Sequence, residues 1–149
     1  MKIINRKFNR DYQELERYEA GLMLSGSEVK SVREGRIKLE DAFVKIIGSE
    51  LYLVNALIHV YPYARTADYD ERRTRKLLLH KKEIIRLKTK LSSAARLTIA
   101  PVACYNKHGF IKLEIALARG RKDLEKRKLE KKRDIKIQEE REMKEYLKV

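Results

Sequence analysis

In Phe110-Ile-Lys-Leu-Glu-Ile-Ala-Leu-Ala118 the apolar positions Ile111, Leu113, Ile115 and Leu117 alternate with Lys112 and Glu114, the pattern of a strand with one buried face. Leu97 to Tyr105 precedes it across Asn106-Lys107-His108-Gly109, so the two segments read as a hairpin closed by a glycine turn. Pro101 inside the first arm lacks an N–H for the ladder, which predicts an edge position or a bulge there. A second hairpin is predicted between Ala42 to Ile47 and Leu51 to Leu57, turning at Gly48-Ser49, and a further strand over Tyr18 to Leu24.

Two segments change period. Ser25-Gly-Ser-Glu28 matches a capping box, and the short helix that it starts runs through Val29 and Val32 to a stop at Gly35. From about His80 to Leu91, Ile84, Leu87 and Leu91 share one helical face while the lysines lie mostly elsewhere. Between Tyr61 and Lys76 no period is visible, and a loop of that length in a compact domain is usually functional or disordered. Short antiparallel strands with short helices predict a mainly β fold, a small, partly open Greek-key barrel of the oligonucleotide-binding kind.

The pattern ends at Ala118. Residues 119–149 hold 13 cations and 8 acids, with apolar residues on no sustained heptad seam, so a coiled coil is not expected. Acid-before-base pairs four apart at Asp123/Arg127 and Glu140/Lys144, and the lack of Pro or Gly after Gly120, give helix bias without a docking face. The expected organisation is a barrel domain over 1–118 and a basic tail over 119–149, disordered alone and helical when bound to a partner.

The chain of 149 residues carries 36 Lys and Arg against 22 Asp and Glu, a formal charge of +14, which points to a polyanionic partner. Hydrophobic residues at 43% still allow a packed core. No apolar run of about 18 residues exists, and Met1-Lys2-Ile3-Ile4-Asn5 has no signal-like core, so no membrane partner and a cytoplasmic location are expected. One cysteine, Cys104, and three scattered histidines make neither a disulfide nor a zinc site. No nucleophile motif, glycine-rich phosphate loop or Walker pattern is present, and the expectation is a protein without catalytic residues, metal, cofactor or small-molecule substrate.

RNA is gripped through phosphates by cations and through bases by aromatic and guanidinium planes. The loop from Tyr61 to Lys76 has both, with Tyr61, Tyr63 and Tyr69 among Arg65, Arg72, Arg73, Arg75 and Lys76. Its plainer reading is a solvated basic loop with tyrosines tucked against the barrel, and the overall charge tips the balance toward RNA or DNA. Asn5, Arg6 and Lys7 with Tyr12 repeat the mixture at the N-terminus, where an unstructured basic end is the competing reading. Glu19, from the residues alone, reads as an acid on the solvent face of a strand.

Several blocks, in order, are familiar: Asn5-Arg6-Lys7 with Tyr12, Tyr18-Glu19-Ala20-Gly21, Gly26-Ser27-Glu28-Val29-Lys30-Ser31 with Arg33 and Gly35, Arg75-Lys76-Leu77-Leu78-Leu79-His80, and Leu117-Ala118-Arg119-Gly120-Arg121-Lys122. Together they closely resemble the SsrA-binding protein family, also called small protein B, over almost the whole chain. The resemblance implies a bacterial cytoplasmic partner of transfer-messenger RNA in trans-translation. Its barrel would hold the tRNA-like domain in place of the missing part of an anticodon arm. Its tail would enter the ribosome at the small-subunit decoding centre, sensing an empty mRNA channel.

Carried over by position, the family's RNA-binding residues fall on Asn5, Tyr12, Glu19, Leu78 and Lys112, with Leu78 either touching RNA or shaping the surface that does. The loop cations are plausible additions. The ribosome-contacting tail would include Arg119, Arg121, Lys122, Glu125, Lys126 and Arg127. Glu125-Lys126-Arg127 stands where the family commonly has Asp-Lys-Arg, and Leu124 stands where it often has His or an aromatic able to stack. The alternative function is a ribosomal or ribosome-assembly rRNA-binding protein.

Overall fold

The computed structural model describes residues 1–64 and 68–147, with nothing said of the side chains of Asp123 and Leu124. In chain order the elements are β1 (Lys2–Ile4), α1 (Phe8–Asp11), β2 (Tyr12–Leu22), α2 (Gly26–Arg33), β3 (Ile37–Lys38), β4 (Phe43–Ile47), β5 (Glu50–Val54), β6 (Leu57–Ile58), β7 (Arg75–Leu78), α3 (Lys81–Ser93), β8 (Leu97–Lys107), β9 (Phe110–Gly120) and α4 (Asp123–Leu147).

Six strands form a ring. Neighbours run β8-β4-β5-β7-β2-β9, and β9 pairs back onto β8, so the barrel is closed rather than partly open. The alternation in β9 sends Leu113 and Ile115 inward to meet Leu51, Leu53, Leu77 and Ile99, all essentially without solvent contact. Each such side chain contributes roughly 1.5–3 kcal/mol by leaving water. The opposite face of the β8–β9 hairpin is not bare: Ala100, Val102, Ala116 and Ala118 are covered by Phe8 of α1. Small side chains there let the helix approach the sheet.

The hairpin turn is shorter than the sequence predicts. Strand pairing continues to Lys107 and Phe110, leaving His108 and Gly109, both with positive φ as a type I′ turn requires. The register shift between Pro101 and Ala103 is the bulge expected at the proline. The capping box is present, with the Ser25 hydroxyl accepting from the Glu28 N–H and the Glu28 carboxylate accepting from the Ser25 N–H.

Two segments extend beyond the predicted pattern. β2 starts at Tyr12, six residues before the predicted strand, because its backbone bonds to β9 along a largely exposed stretch without apolar alternation. β1 pairs with the free edge of β8, so the N-terminus is ordered. α4 is one long helix after β9, most of whose side chains face solvent. Among the described residues no helix is long and apolar enough to cross a membrane.

Candidate nucleic-acid interface

Strand register brings distant residues into one row. Gly21 of β2 is paired with Leu78 of β7 on one side and Lys112 of β9 on the other, and Lys112 is in turn opposite Tyr105 of β8. Glu19, two residues before Gly21, is on the same face by the alternation of a strand. An open cleft of about 580 Å³ is lined there by Glu19, Gly21, Leu78 and Lys112, with Arg17 on one flank and His80, just before α3, on the other.

Gly21 keeps this cleft open. A Cβ at that position would stand 3.3 Å from the Leu78 Cβ, closer than side chains normally pack. Leu78 is half exposed despite being aliphatic. Glu19 accepts hydrogen bonds from the Tyr105 hydroxyl and from Lys107 Nζ at 3.4 Å. The Tyr105 bond, ahead of the nearby lysines, holds the Glu19 carboxyl below the ordinary carboxylate range, so it faces solvent as an anion. The Tyr105 phenol is correspondingly pushed up, by burial first and then by Glu19. The cleft thus offers an apolar step, a fixed acceptor and the Lys112 cation, with Arg17 at its flank already paired with Glu14 at 2.6 Å and Glu114 at 3.3 Å. That combination can take base amino groups and phosphates together.

Other sequence-predicted residues have different surroundings. Asn5 is buried: its Nδ2 donates to the Pro101 carbonyl at 2.8 Å, its Oδ1 accepts from the Lys7 N–H, and its own N–H donates to the Val102 carbonyl. It therefore satisfies the carbonyls freed by the bulge. Arg6 is exposed beside Lys2 and Lys38, and Lys7 is 4.0 Å from Asp41. Tyr12 is half-buried against Phe8, ring centroids 5.7 Å apart, and its hydroxyl pKa is raised by burial and then by Asp11.

The loop cations divide sharply. Arg75 is not a surface cation: it is fully buried, with Nε donating to Glu28 and the two terminal nitrogens to the carbonyls of Ala56, Arg73 and Glu71 and to the Tyr69 hydroxyl. This burial argues against a direct phosphate contact by Arg75. Arg73 reaches back to the other Glu28 oxygen at 2.5 Å. Burial alone would raise the Glu28 carboxyl, but the Ser25 N–H, Arg73 and Arg75 outweigh it and hold the pKa below the ordinary value. Lys76 bonds Glu50 at 2.9 Å, and Arg72 donates to Asn55, so both are tied to the barrel wall. Arg65 lies outside the described residues.

In the tail, Arg119 is still within β9, and Arg121 Nε donates to the carbonyls of Asn9 and Tyr12. Lys126 is 3.6 Å from Asp11, and Glu130 pairs with Arg10 at 2.5 Å. Lys122, Glu125 and Arg127 are exposed. Residues that the sequence reading did not single out are Arg17, His80 and Tyr105. The signal available for Tyr105 was its place opposite Lys112 across the hairpin. Cys104 is buried, its thiol pushed up to about 12 by desolvation. Among the described residues no group of three or more His, Cys, Asp or Glu could hold a metal ion.

Comparison with known proteins places these observations. A family model described as SmpB protein matches residues 2–145. The SsrA-binding protein of Sulfurihydrogenibium sp. is 47% identical over 145 residues, covering 97% of this chain and 95% of that protein. The SsrA-binding protein of Coprothermobacter proteolyticus is 46% identical, covering 91% and 92%. A solved chain described as "tmRNA-SmpB: a journey to the center of the bacterial ribosome" superimposes with a TM-score of 0.68 at 42% identity, covering 82% of this chain and 85% of that one.

Proposed function

The chain belongs to the SmpB family, and from that premise we propose that it binds transfer-messenger RNA and delivers it to stalled ribosomes for trans-translation. The single observation that carries the site is the convergence of Glu19, Leu78 and Lys112, from three different strands, on one open cleft. Glu19 is the acceptor for base or ribose donors, Leu78 the apolar step beneath the RNA, and Lys112 the phosphate contact. Tyr105 and Lys107 hold the charge and direction of Glu19, and Arg17 on the flank pairs with Glu14 and Glu114. Asn5 acts at one remove by clamping β1 to the β8 bulge.

The division of labour is a barrel that grips the RNA and a tail that senses an empty mRNA channel near the decoding centre. That β9 continues to Gly120 and Arg121 is bonded to the barrel supports a reading in which the tail proper starts after Lys122, its first turns paired with α1 through Lys126–Asp11 and Glu130–Arg10. Exposed Glu125 and Arg127 of the tail, with Lys122 at its root, are the ribosome contacts of this reading. Leu124 offers no aromatic ring for stacking, so charge and helicity carry the tail's contacts. The protein works in the cytoplasm as an adaptor with no chemistry of its own. A ribosome-assembly role is not favoured by its relatives.

The test is to purify the full chain from its own cell and sequence the RNA that comes with it. Strong enrichment of transfer-messenger RNA over bulk transcripts is expected. Enrichment of ribosomal RNA alone would overturn the reading.

A further inference from the structure

The loop between β6 and β7 holds an aromatic pair that the cleft does not use. The Tyr61 and Tyr63 rings meet edge to face with centroids 5.5 Å apart, and Lys30 Nζ of α2 stands 5.5 Å from the Tyr61 centroid. Tyr63 is 85% exposed. The described flanks of the loop are tied to neighbouring elements, since the His59 N–H donates to the Arg36 carbonyl and the Tyr69 hydroxyl to the Ile58 carbonyl at 2.9 Å, and the Ala64 N–H closes a turn onto the Tyr61 carbonyl. The exposed Tyr63 ring, packed edge to face on Tyr61 with the Lys30 cation next to Tyr61, leaves aromatic area in water that a flat partner would cover.

We propose that Tyr61 and Tyr63, with Lys30, form a stacking platform for an unpaired nucleobase of single-stranded RNA, separate from the Glu19–Leu78–Lys112 cleft. Its residues are not shared with the cleft. β7 also sets the two apart, since Arg75 anchors the loop at one end of the strand and Leu78 faces the cleft at the other. Stacking needs a π face and tolerates any base, and the open Tyr63 ring supplies one. The phosphate that accompanies each base finds Lys30 at the rim, while Arg33 on the next turn of α2 donates to the Gly109 carbonyl at 3.2 Å. A purely apolar partner would leave the Lys30 charge unmatched, whereas a nucleotide matches both the ring and the charge.

The chain has no tryptophan, so Tyr63→Trp in the full-length protein introduces a single indole reporter. Its emission would be followed during titration with a single strand of about 12 nucleotides, the same length of blunt duplex RNA, and heparin. The single strand is expected to quench the indole, with little quenching by duplex or by heparin. Adding Lys30→Ala should weaken the titration about tenfold. Adding Glu19→Arg should leave it unchanged, which separates this site from the cleft and from the transfer-messenger RNA reading. Equal quenching by heparin or duplex would reduce the site to charge, loss of quenching with Glu19→Arg would merge it with the cleft, and an indole blind to every RNA would assign the face to something else. Each of these overturns the proposal.

Discussion

Arg75 Nε donates to a carboxylate oxygen of Glu28 at 2.6 Å, and both side chains are sealed from solvent. One residue starts a barrel strand and the other caps a helix, so the pair locks α2 to β7, with Tyr69 and Glu71 bonded to the same guanidinium. Desolvating two charges is expensive, and the arrangement is tolerable because the remaining guanidinium donors and carboxylate lone pairs are also satisfied.

Glu28→Ala leaves the Arg75 charge buried without its partner and should cost about 3–5 kcal/mol of stability. Urea denaturation of the purified protein measures it. A double change of Glu28→Leu with Arg75→Met should cost less than the two single changes added together, since it removes both charges. Additive losses would show that the pair is not coupled.

The same carboxylate sets an acid limb. Its folded pKa lies below the unfolded value of about 4.3, so its contribution is complete above that value and disappears as pH falls through the folded pKa. Stability measured from neutral pH downward should therefore fall below about pH 4, and Glu28→Gln should flatten that limb. An unchanged limb in the variant would assign it to other carboxylates.

Glu19→Arg adds a cation to the cleft yet should weaken binding of the tRNA-like RNA by about tenfold or more, because it removes the acceptor that Tyr105 and Lys107 orient. Gly21→Ala should act through Leu78, whose Cβ is 3.3 Å from the added methyl, lowering RNA affinity while the barrel stays folded. Gel-shift titration with circular dichroism reads both. A gain of affinity in Glu19→Arg would mean that net charge alone governs the contact.

Much of the barrel is legible as alternation. β4, β5, β8 and β9 are visible in apolar period two, the bulge in Pro101, and α2 in its capping box. The first part of β2 is not, because Gln13, Glu14 and Arg17 are polar wherever they point and the strand is held by backbone bonds to β9. Arg75 is hidden differently. In Arg72-Arg73-Thr74-Arg75-Lys76 it looks like one more solvated cation, and only the register of β7, with Arg75 and Leu77 inward and Leu78 outward, reveals it as core. Glu19, Leu78 and Lys112 came from family resemblance, since nothing local links residues that meet only when β7, β2 and β9 pair.

Cys104 should be silent toward thiol reagents while the barrel is folded, because burial raises the thiol to about 12 and leaves little thiolate. Labelling at about pH 8 should proceed only as fast as unfolding exposes it, and rapid labelling of native protein would contradict the packing of β1 on β8.

The most direct measurement is made on the chain ended after Lys122, which keeps β9 and the Arg121 bonds to Asn9 and Tyr12 but lacks α4. Its affinity for transfer-messenger RNA and its support of peptide tagging on stalled ribosomes are compared with those of the full chain. Near-native RNA affinity with tagging abolished is the expected result; lost RNA affinity in a folded barrel, or tagging that persists, would contradict the division between a gripping barrel and a sensing tail.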